Sequence, residues 1–166
     1  FSGVNNFPTH TIVDGHYRQT LEETGMSVQK EIDMIALAHK MDMFTMPYVV
    51  TADEAKNMAE AGADVIIAHV GCTIGGSIGV TDATVSMDDT VKATQTICDA
   101  AHSVRKDVMV LSHGGPILTP ENAAYVCEHT DAVGFVGASS LERMAVEKPL
   151  ADLTREFKSI PVKRIH

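Results

Sequence analysis

The sequence contains no tryptophan, only three cysteines and no hydrophobic run long enough to cross a bilayer. Cys72, Cys98 and Cys127 are widely spaced and none belongs to a CxxC pair, so neither a disulfide framework nor a zinc knuckle is indicated. The apolar run from Val65 to Val70 is far shorter than the ~20 residues of a membrane-spanning helix. We therefore expect a cytoplasmic protein in a reducing compartment, with no membrane partner.

Positive charge is also scarce in this chain. There are 13 Lys and Arg against 22 Asp and Glu, which gives a formal net charge of −9 at pH 7. A surface with that surplus of negative charge repels phosphate backbones. Nucleic acid is therefore not expected as a general partner.

The rest of the composition is that of an ordinary globular domain. The 166 residues are 45 % hydrophobic and 21 % charged, a balance that argues against disorder. A chain of this length suits one domain with a substantial core, which we place over residues 1–166. The first residue is Phe1 rather than Met, so we expect the chain to be a piece of a longer protein.

Short apolar runs alternate along the chain with longer segments of helical period. The runs are apolar on both faces, as in strands buried on both sides of a parallel sheet. Helix starts are marked by residue pairs with capping-box or similar spacing and by a proline after Thr119. The pattern predicts an α/β fold with five strands, each followed by a helix. The predicted strands are Gly3 to Phe7, Met43 to Val49, Val65 to Val70, Val108 to Leu111 and Val133 to Val136, and the capping pairs are Thr51 with Glu54, Ser86 with Asp89 and Ser139 with Glu142.

Two architectures fit this alternation. Five parallel strands could form a complete flavodoxin-like doubly wound sheet. They could equally be the C-terminal five βα units, strands 4 to 8, of a (β/α)8 TIM barrel, whose full length is ~250 residues. Both architectures place the functional site at the carboxyl ends of the strands, so the same segments are examined in either case.

Two histidines stand where predicted strands end. His69 and His113 each follow an apolar strand and are followed within two residues by glycine. If their strands are neighbours, the strand ends lie ~4.8 Å apart, which would let both imidazoles serve one substrate or metal. A general acid/base pair is one interpretation, because histidine titrates near physiological pH. The alternative is that both rings bond to loop carbonyls and serve the structure alone.

Glycines and small polar residues also follow the last strands. Gly114 and Gly115, together with Ala138, Ser139 and Ser140, could offer backbone amides and hydroxyls to an anion, as loops after the last strands of barrels often do. Ser139 could instead be a self-satisfied helix cap. The glycine-rich segment 71–79 after the third strand could be an active-site lid or an anion-binding nest, and it lacks a Walker A pattern.

A charged cluster lies between the first strand and its main helix. Arg18 and Glu22 are four residues apart, so an ordinary helical salt bridge explains them. Alternatively, Arg18 could grip a substrate carboxylate. The sequence pattern alone allows both interpretations.

Taken in order, several of these segments resemble a known family. The chain is similar to the phosphoenolpyruvate hydrolase-like TIM-barrel family from Gly3 to about Ile160. That barrel also occurs as the C-terminal domain of larger proteins similar to the tomato mosaic virus resistance protein, behind an ATP-binding-like domain. The segments that resemble the family are Asn6-Phe7-Pro8-Thr9, Leu21-Glu22-Glu23-Thr24-Gly25-Met26, Thr45-Met46-Pro47-Tyr48, His69 with Gly75-Gly76, Ser112-His113-Gly114-Gly115-Pro116-Ile117 and Gly137-Ala138-Ser139-Ser140 with Glu142-Arg143.

The resemblance implies a hydrolase or lyase that acts on a small phosphorylated or phosphono 2-oxo acid, usually with a divalent metal such as Mg²⁺. In such a site His113 and His69 would transfer protons, and Asn6 would orient the substrate carbonyl or a metal-bound water. The expected substrate-binding residues are Gly114, Gly115, Ala138, Ser139, Ser140, Arg18 and Tyr48.

The first three strands of the implied barrel are not in this chain, so metal ligands on them cannot be assigned. The expected partners are therefore a small anionic substrate, the upstream barrel strands, an ATP-binding-like domain and a second copy in a homo-oligomer. The alternative to an enzyme is a non-catalytic barrel that serves as an interaction or regulatory domain of a multidomain protein. A blocked pocket and a large exposed apolar patch would favour that alternative.

Overall fold

A computed structural model describes residues 1–81 and 85–159 of the chain. Over this part the chain alternates between short parallel strands and helices, as the sequence pattern predicts. The elements, in chain order, are β1 (Gly3–Val4), a 3-10 helix (His10–Ile12), α1 (Gly15–Glu23), α2 (Val28–Lys40), β2 (Phe44–Thr45), β3 (Tyr48–Val49), α3 (Ala52–Glu60), β4 (Val65–His69), α4 (Met87–Val104), β5 (Met109–His113), α5 (Pro120–Glu128), β6 (Gly134–Val136), α6 (Ser139–Glu142) and α7 (Met144–Lys158).

The second predicted strand is interrupted and forms two short strands, β2 and β3. Pro47 lies between them and lacks the N–H that a continuous ladder needs. The first piece pairs in parallel with β1, Val4 opposite Thr45. The second piece pairs in parallel with β4, Tyr48 opposite Ile67. The second predicted strand therefore lies between the first and the third.

The remaining strands continue in sequence order, since β4 pairs with β5 and β5 pairs with β6, all in parallel. A flavodoxin-like sheet would place the first strand between the second and the third. That alternative is therefore wrong for this chain. Neighbouring strands that follow the chain order without reversal are typical of a (β/α)8 barrel, and the fold is part of one.

The helices cover one face of the strands. Successive helices contact one another, α2 with α3, α3 with α4 and α4 with α5. Ile66 and Ala68 of β4 belong to the same buried cluster as Met58 of α3 and Ile97 of α4. Because strand side chains alternate between faces, Val65, Ile67 and His69 point to the opposite face, where a barrel has its axis.

Both outer strands have an open edge among the described residues, because β1 pairs with β2 and β6 pairs with β5. Met109, which pairs with Val65 on the axis face, is 47 % exposed, and Val133 beside β6 is 65 % exposed. Completed barrels bury such positions between layers of side chains. The five strands thus account for part of a barrel and leave its axis face partly uncovered.

Most of the predicted helix starts are confirmed. Thr51 and Glu54 form a reciprocal capping box, and the Ser86 side chain accepts a hydrogen bond from the Asp89 amide. Pro120 begins α5 directly after its Thr119 cap. The cap predicted at Ser139 is wrong: α6 begins at Ser139 itself, and Ala138 precedes it without a side-chain cap.

Across residues 1–81 and 85–159, no helix combines the length and the apolar character that a bilayer-spanning segment requires.

Candidate functional site

The two histidines at the strand ends are neighbours. His69 ends β4 and His113 ends β5, and the parallel register places the two residues directly opposite each other. Their ring centroids are 5.0 Å apart, and the residues are 8 % and 7 % exposed. The predicted proximity is therefore confirmed, because adjacent parallel strands bring their carboxyl ends to one edge of the sheet.

Tyr48 packs against both imidazoles. Its ring centroid lies 6.1 Å from that of His69 and 5.1 Å from that of His113, in both cases edge to face. Phe7 also packs against Tyr48, with 5.2 Å between the two ring centroids. The predicted substrate-binding residue Tyr48 thus belongs to one aromatic cluster with the two histidines.

Backbone contacts assign opposite tautomers to the two rings. His113 Nδ1 lies 2.8 Å from the carbonyl oxygen of Val136. A carbonyl can only accept, so this nitrogen holds a proton, and in the neutral ring Nε2 carries the lone pair. His69 Nδ1 instead accepts the amide N–H of Gly71 at 3.2 Å, so its neutral ring holds the proton on Nε2. One imidazole therefore offers a base and its neighbour offers a hydrogen-bond donor.

Burial shifts the pKa values of His69 and Tyr48 in this cluster. Burial, with a smaller contribution from the neighbouring His113, lowers the pKa of His69 to about 4. Burial likewise raises the pKa of Tyr48, and the carboxylate of Glu142 adds to that rise. Near pH 7 the His69 ring is therefore neutral and the Tyr48 hydroxyl keeps its proton.

A cavity of about 480 Å³ opens beside the histidines. His69, His113, Ala138 and Ser139 all lie on its wall, so the structure brings together four of the predicted site residues. Arg143 lies there too, a cation that was noted in the sequence only as part of a family-like segment. The other lining residues of this cavity are Phe7, Gly71, Cys72, Thr73, Ile78, Gly79 and Val80.

The glycine pair after β5 serves a close approach between two loops. The amide of Gly115 donates to the carbonyl of Gly71 at 2.8 Å, and the amide of Ile74 donates to the carbonyl of Gly115 at 3.2 Å. Gly114 has φ +85°, and a Cβ there would collide with the carbonyl oxygen of Gly71. The Gly115 amide is thus engaged within the protein, and anion binding by Gly114 and Gly115 stays a prediction, as it does for Ser140.

Asn6 is bonded entirely within the protein in this structure. Its Oδ1 accepts the Tyr48 amide at 2.7 Å. Its Nδ2 donates to the carbonyl oxygen of Tyr48 at 3.1 Å and to the Glu31 carboxylate at 2.6 Å. These contacts link the loop after β1 to β3 and α2. The catalytic role predicted for Asn6 stays a prediction, and the observed bonds suit a residue that holds Tyr48 in place.

Arg18 lies in a separate cleft between α1, α2 and α3. Its Nη2 donates to Glu54 Oε1 at 2.7 Å, and its Nε lies 3.9 Å from Glu22 Oε1. The cavity lined by Arg18, about 460 Å³, includes neither histidine. The structure therefore pairs Arg18 with carboxylates of its own chain, and its predicted grip on substrate stays a prediction.

A metal site was expected on the family resemblance. Within residues 1–81 and 85–159, no group of three or more His, Cys, Asp or Glu side chains is placed to hold a metal ion. The described side chains therefore do not by themselves show a ligand set for the implied divalent metal.

Comparison with known proteins adds a family to this geometry. The model of the family described as phosphoenolpyruvate hydrolase-like matches residues 1–160. The chain belongs to the phosphoenolpyruvate hydrolase-like family. Two tomato (Solanum lycopersicum) proteins, the ToMV susceptible protein tm-1(GCR26) and the ToMV resistance protein Tm-1(GCR237), are each 51 % identical to it over 164 residues.

This phosphoenolpyruvate hydrolase-like chain matches only a small part of the length of those relatives. The match covers 98 % of the chain and 22 % of each tomato protein, so in them it corresponds to a segment of a larger protein. Among solved structures, the Amycolatopsis orientalis BexX/CysO complex shares the fold, at 15 % identity and a TM-score of 0.50, over 84 % of this chain and 55 % of that one. A phosphonopyruvate hydrolase in complex with oxalate and Mg²⁺ is 15 % identical, with a TM-score of 0.48, over 82 % of this chain and 50 % of that one. A likeness of that size supports no argument about chemistry.

Proposed function

We propose that this domain contributes the proton-handling part of a barrel hydrolase or lyase that acts on a small phosphorylated or phosphono 2-oxo acid. The observation behind the proposal is the cluster of Tyr48, His69 and His113 at the carboxyl ends of the strands. Two adjacent imidazoles with opposite tautomers offer a base and a donor to one small substrate.

His113 is the proton acceptor in this proposal. Its Nδ1–H is fixed on the Val136 carbonyl, which leaves the Nε2 lone pair free to take a proton from an attacking water. With a phosphono 2-oxo acid, the water oxygen bonds to phosphorus as the P–C bond breaks, and the electron pair of that bond forms the enolate of the oxo acid. The proton held by His113 then passes to the enolate carbon. His69 plays a different part, because a pKa of about 4 keeps its ring neutral. Its Nε2–H donates a hydrogen bond to the carbonyl oxygen of the oxo acid, where negative charge develops.

The anionic groups of the substrate lie toward the other end of the cavity. Arg143 and Ser139 are on the cavity wall with both histidines. Two of the five N–H donors of Arg143 are engaged, one by Glu147 and one by the Gly75 carbonyl, so others remain for a carboxylate or phosphoryl oxygen. Ala138 borders the same space and keeps it open.

We further infer that residues 1–166 are strands 4 to 8 of the barrel in a longer protein. Open edges on β1 and β6 support this reading, as does the larger size of the tomato relatives. Any ligands for Mg²⁺ would then come from the upstream strands, and an ATP-binding-like domain would precede them. A bound Mg²⁺ would supply Lewis-acid activation of the oxo acid.

The test is a ligand titration of the complete protein. Phosphoenolpyruvate and phosphonopyruvate, each with Mg²⁺, are added while the midpoint of thermal unfolding is followed. A ligand at 100 times its Kd stabilises the folded state by about 2.7 kcal/mol, so the midpoint rises if either compound binds. Failure of both compounds to shift the midpoint would count against an oxo-acid site.

A matched pair of arginine variants localises the binding. Arg143→Gln removes the cation on the cavity wall, and Arg155→Gln removes a cation from the same helical segment that pairs with Asp152 at the surface. We expect the ligand-induced shift to disappear in the first variant and to persist in the second. Loss of the shift in both would point to helix damage rather than to a site at Arg143.

A second candidate function is a non-catalytic interaction domain. Four exposed apolar residues at helical spacing form a stripe on α7, which contains no buried residue. They are Val146, Leu150, Leu153 and Phe157. A stripe of this kind suits contact with another protein surface. If neither ligand shifts the unfolding midpoint, this candidate becomes the better explanation of the domain.

A further inference from the structure

The glycine-rich loop, residues 71–79, borders the cavity that the two histidines line. Thr73, Ile78 and Gly79 of this loop line the cavity together with His69 and His113. The loop therefore forms part of the wall of the cavity that the two imidazoles line.

The middle of the loop is bonded to two side chains at the start of α7. The amide of Ser77 donates to Glu147 Oε2 at 2.8 Å. Arg143 Nη2 donates to the carbonyl of Gly75 at 3.2 Å. Arg143 and Glu147 also form an ion pair, with 2.6 Å between Nη1 and Oε1. The paired side chains of Arg143 and Glu147 thus bind one carbonyl and one amide of the loop backbone.

Gly76 shows how closely the loop approaches this pair. Its φ is +76°, a region that disfavours residues with a side chain. A Cβ at this position would collide with Arg143 Nη1 and lie 2.8 Å from Glu147 Oε2. The hydrogen bond from Arg143 and the Ser77 amide also lower the pKa of Glu147. The carboxylate therefore stays ionised, and the contact is charge-assisted.

We propose that the glycine-rich loop is a lid and that Arg143 with Glu147 is the latch that holds it closed over the histidine cavity. Among the described residues Arg143 lines that cavity and Glu147 does not. Glu147 is therefore a positioning residue, which fixes both the loop and the guanidinium. The proposal rests on the proposed function, because Arg143 is the cation assigned there to the substrate anion. Entry and release of substrate require the latch to open.

Hydrogen exchange in the full chain tests the latch without any substrate. Glu147→Gln keeps the shape of the side chain and removes its charge. A hydrogen bond to a charged acceptor is stronger than one to a neutral acceptor, so we expect the Ser77 amide to exchange about tenfold faster or more. Unchanged exchange at Ser77 would overturn the proposal.

The control is a variant of an ion pair elsewhere on α7. Asp152 bonds to Lys148 and to Arg155, each at 2.7 Å, and forms no hydrogen bond or ion pair with residues 71–79. Asp152→Asn should leave exchange at Ser77 as in the unsubstituted protein. If it accelerates that exchange as much as Glu147→Gln does, the effect comes from loosening of the helix, and the latch is refuted.

A second variant attacks the contact from the loop side. Gly76→Ala pushes a methyl group into the Arg143–Glu147 pair and should accelerate exchange at Ser77 with Glu147 intact. If Glu147→Gln fails to fold, the result with Gly76→Ala still decides the proposal.

Ligand kinetics then separate the latch from the proposed function. In Glu147→Gln, association and dissociation of phosphonopyruvate should both become faster, since the lid opens more often. Faster exchange without any ligand binding would support the latch and refute the oxo-acid site. Ligand binding with unchanged exchange would do the reverse.

Discussion

The strand-end cluster and the α1–α3 cleft both contain ionisable side chains, but they differ in what surrounds each charge. In the cluster, His69 and His113 pack against each other and against Tyr48, and their bonded nitrogens face backbone groups. In the cleft, Arg18 donates to Glu54 at 2.7 Å. Glu54 also accepts the amides at the start of α3.

These different surroundings suit the histidines to proton transfer and the Arg18–Glu54 pair to stabilising the fold. A buried imidazole beside a second imidazole has a lowered pKa and keeps ring atoms available for proton transfer. The positive charge of a guanidinium bonded to a buried carboxylate is compensated by that carboxylate. Loss of the guanidinium would leave the buried carboxylate without its partner. Both regions contain candidate site residues in the sequence, and their surroundings favour the strand-end cluster as the region proposed to act on a substrate.

The largest expected effect concerns turnover at the strand-end cluster. His113→Asn keeps a donor for the Val136 carbonyl and removes the Nε2 base. We expect the rate of oxo-acid turnover by the complete protein to fall about 10²–10⁴-fold, as measured in a steady-state assay. His129→Asn is the matched control, because its Nδ1 also contacts a carbonyl, that of Tyr125 at 2.8 Å. Equal rates in the two variants would remove His113 from the chemistry.

The next effect concerns stability in the cleft. Glu54→Ala breaks the capping box and leaves Arg18 without its nearer partner. We expect the free energy of unfolding to fall by about 3 kcal/mol, measured by urea denaturation. Asp53→Ala, an exposed change in the same first turn of α3, should cost about 0.5 kcal/mol. A similar cost for both would show that the Arg18–Glu54 contact adds little.

A smaller effect separates loop packing from anion binding at the glycine pair. Gly114→Ala meets both an unfavourable φ of +85° and the carbonyl of Gly71, so we expect a loss of about 2 kcal/mol. Gly15→Ala has a φ of +59° and nothing within 4 Å, so it should show the backbone strain alone, about 1 kcal/mol. Thermal unfolding without ligand measures both. If Gly114→Ala loses no more stability than Gly15→Ala, loop packing does not explain the glycine pair, and the anion-binding interpretation is favoured.

A separate effect is the dependence of stability on pH. The pKa of His69 in the folded protein is about 4, below the ~6.5 of an unfolded chain. Between these values the unfolded state binds more protons, so stability is lost as pH falls from about 6.5 to 4. One histidine contributes a slope of at most about 1.4 kcal/mol per pH unit.

His69→Asn keeps an acceptor for the Gly71 amide and removes the titrating ring, so it should flatten the stability profile in this pH range. Urea denaturation at pH 6.5, 5.5 and 4.5 measures the difference between the two proteins. Parallel profiles would mean that His69 is not protected from protonation in the folded state.

Local signals in the sequence predicted much of the fold. The strands before His69 and His113 form where their apolar runs predict them, and the Thr51 and Thr119 caps are confirmed. These features depend on residues a few positions apart. The cap predicted at Ser139 is wrong because α6 is a single short turn that begins one residue earlier than its spacing suggests.

Contacts between distant segments escaped prediction. Arg143 reaches the carbonyl of Gly75 across 68 positions of the chain, and no spacing rule links an arginine after the last strand to a loop after the third. The hydrogen bond from the Gly115 amide to the Gly71 carbonyl likewise depends on how the two loops pack against each other. The family-like segment Glu142-Arg143 was the one sequence signal that pointed toward this arginine.

Sequence pattern alone therefore determined that strands and helices alternate, and that histidines and small polar residues stand at the strand ends. Only the tertiary structure decided that the strands follow one another without reversal, which of two tautomers each imidazole adopts, and which arginine shares their cavity. The physical reason is that periodicity and capping are properties of neighbouring residues. Register, burial and hydrogen-bond partners depend on groups that the chain brings together from far apart.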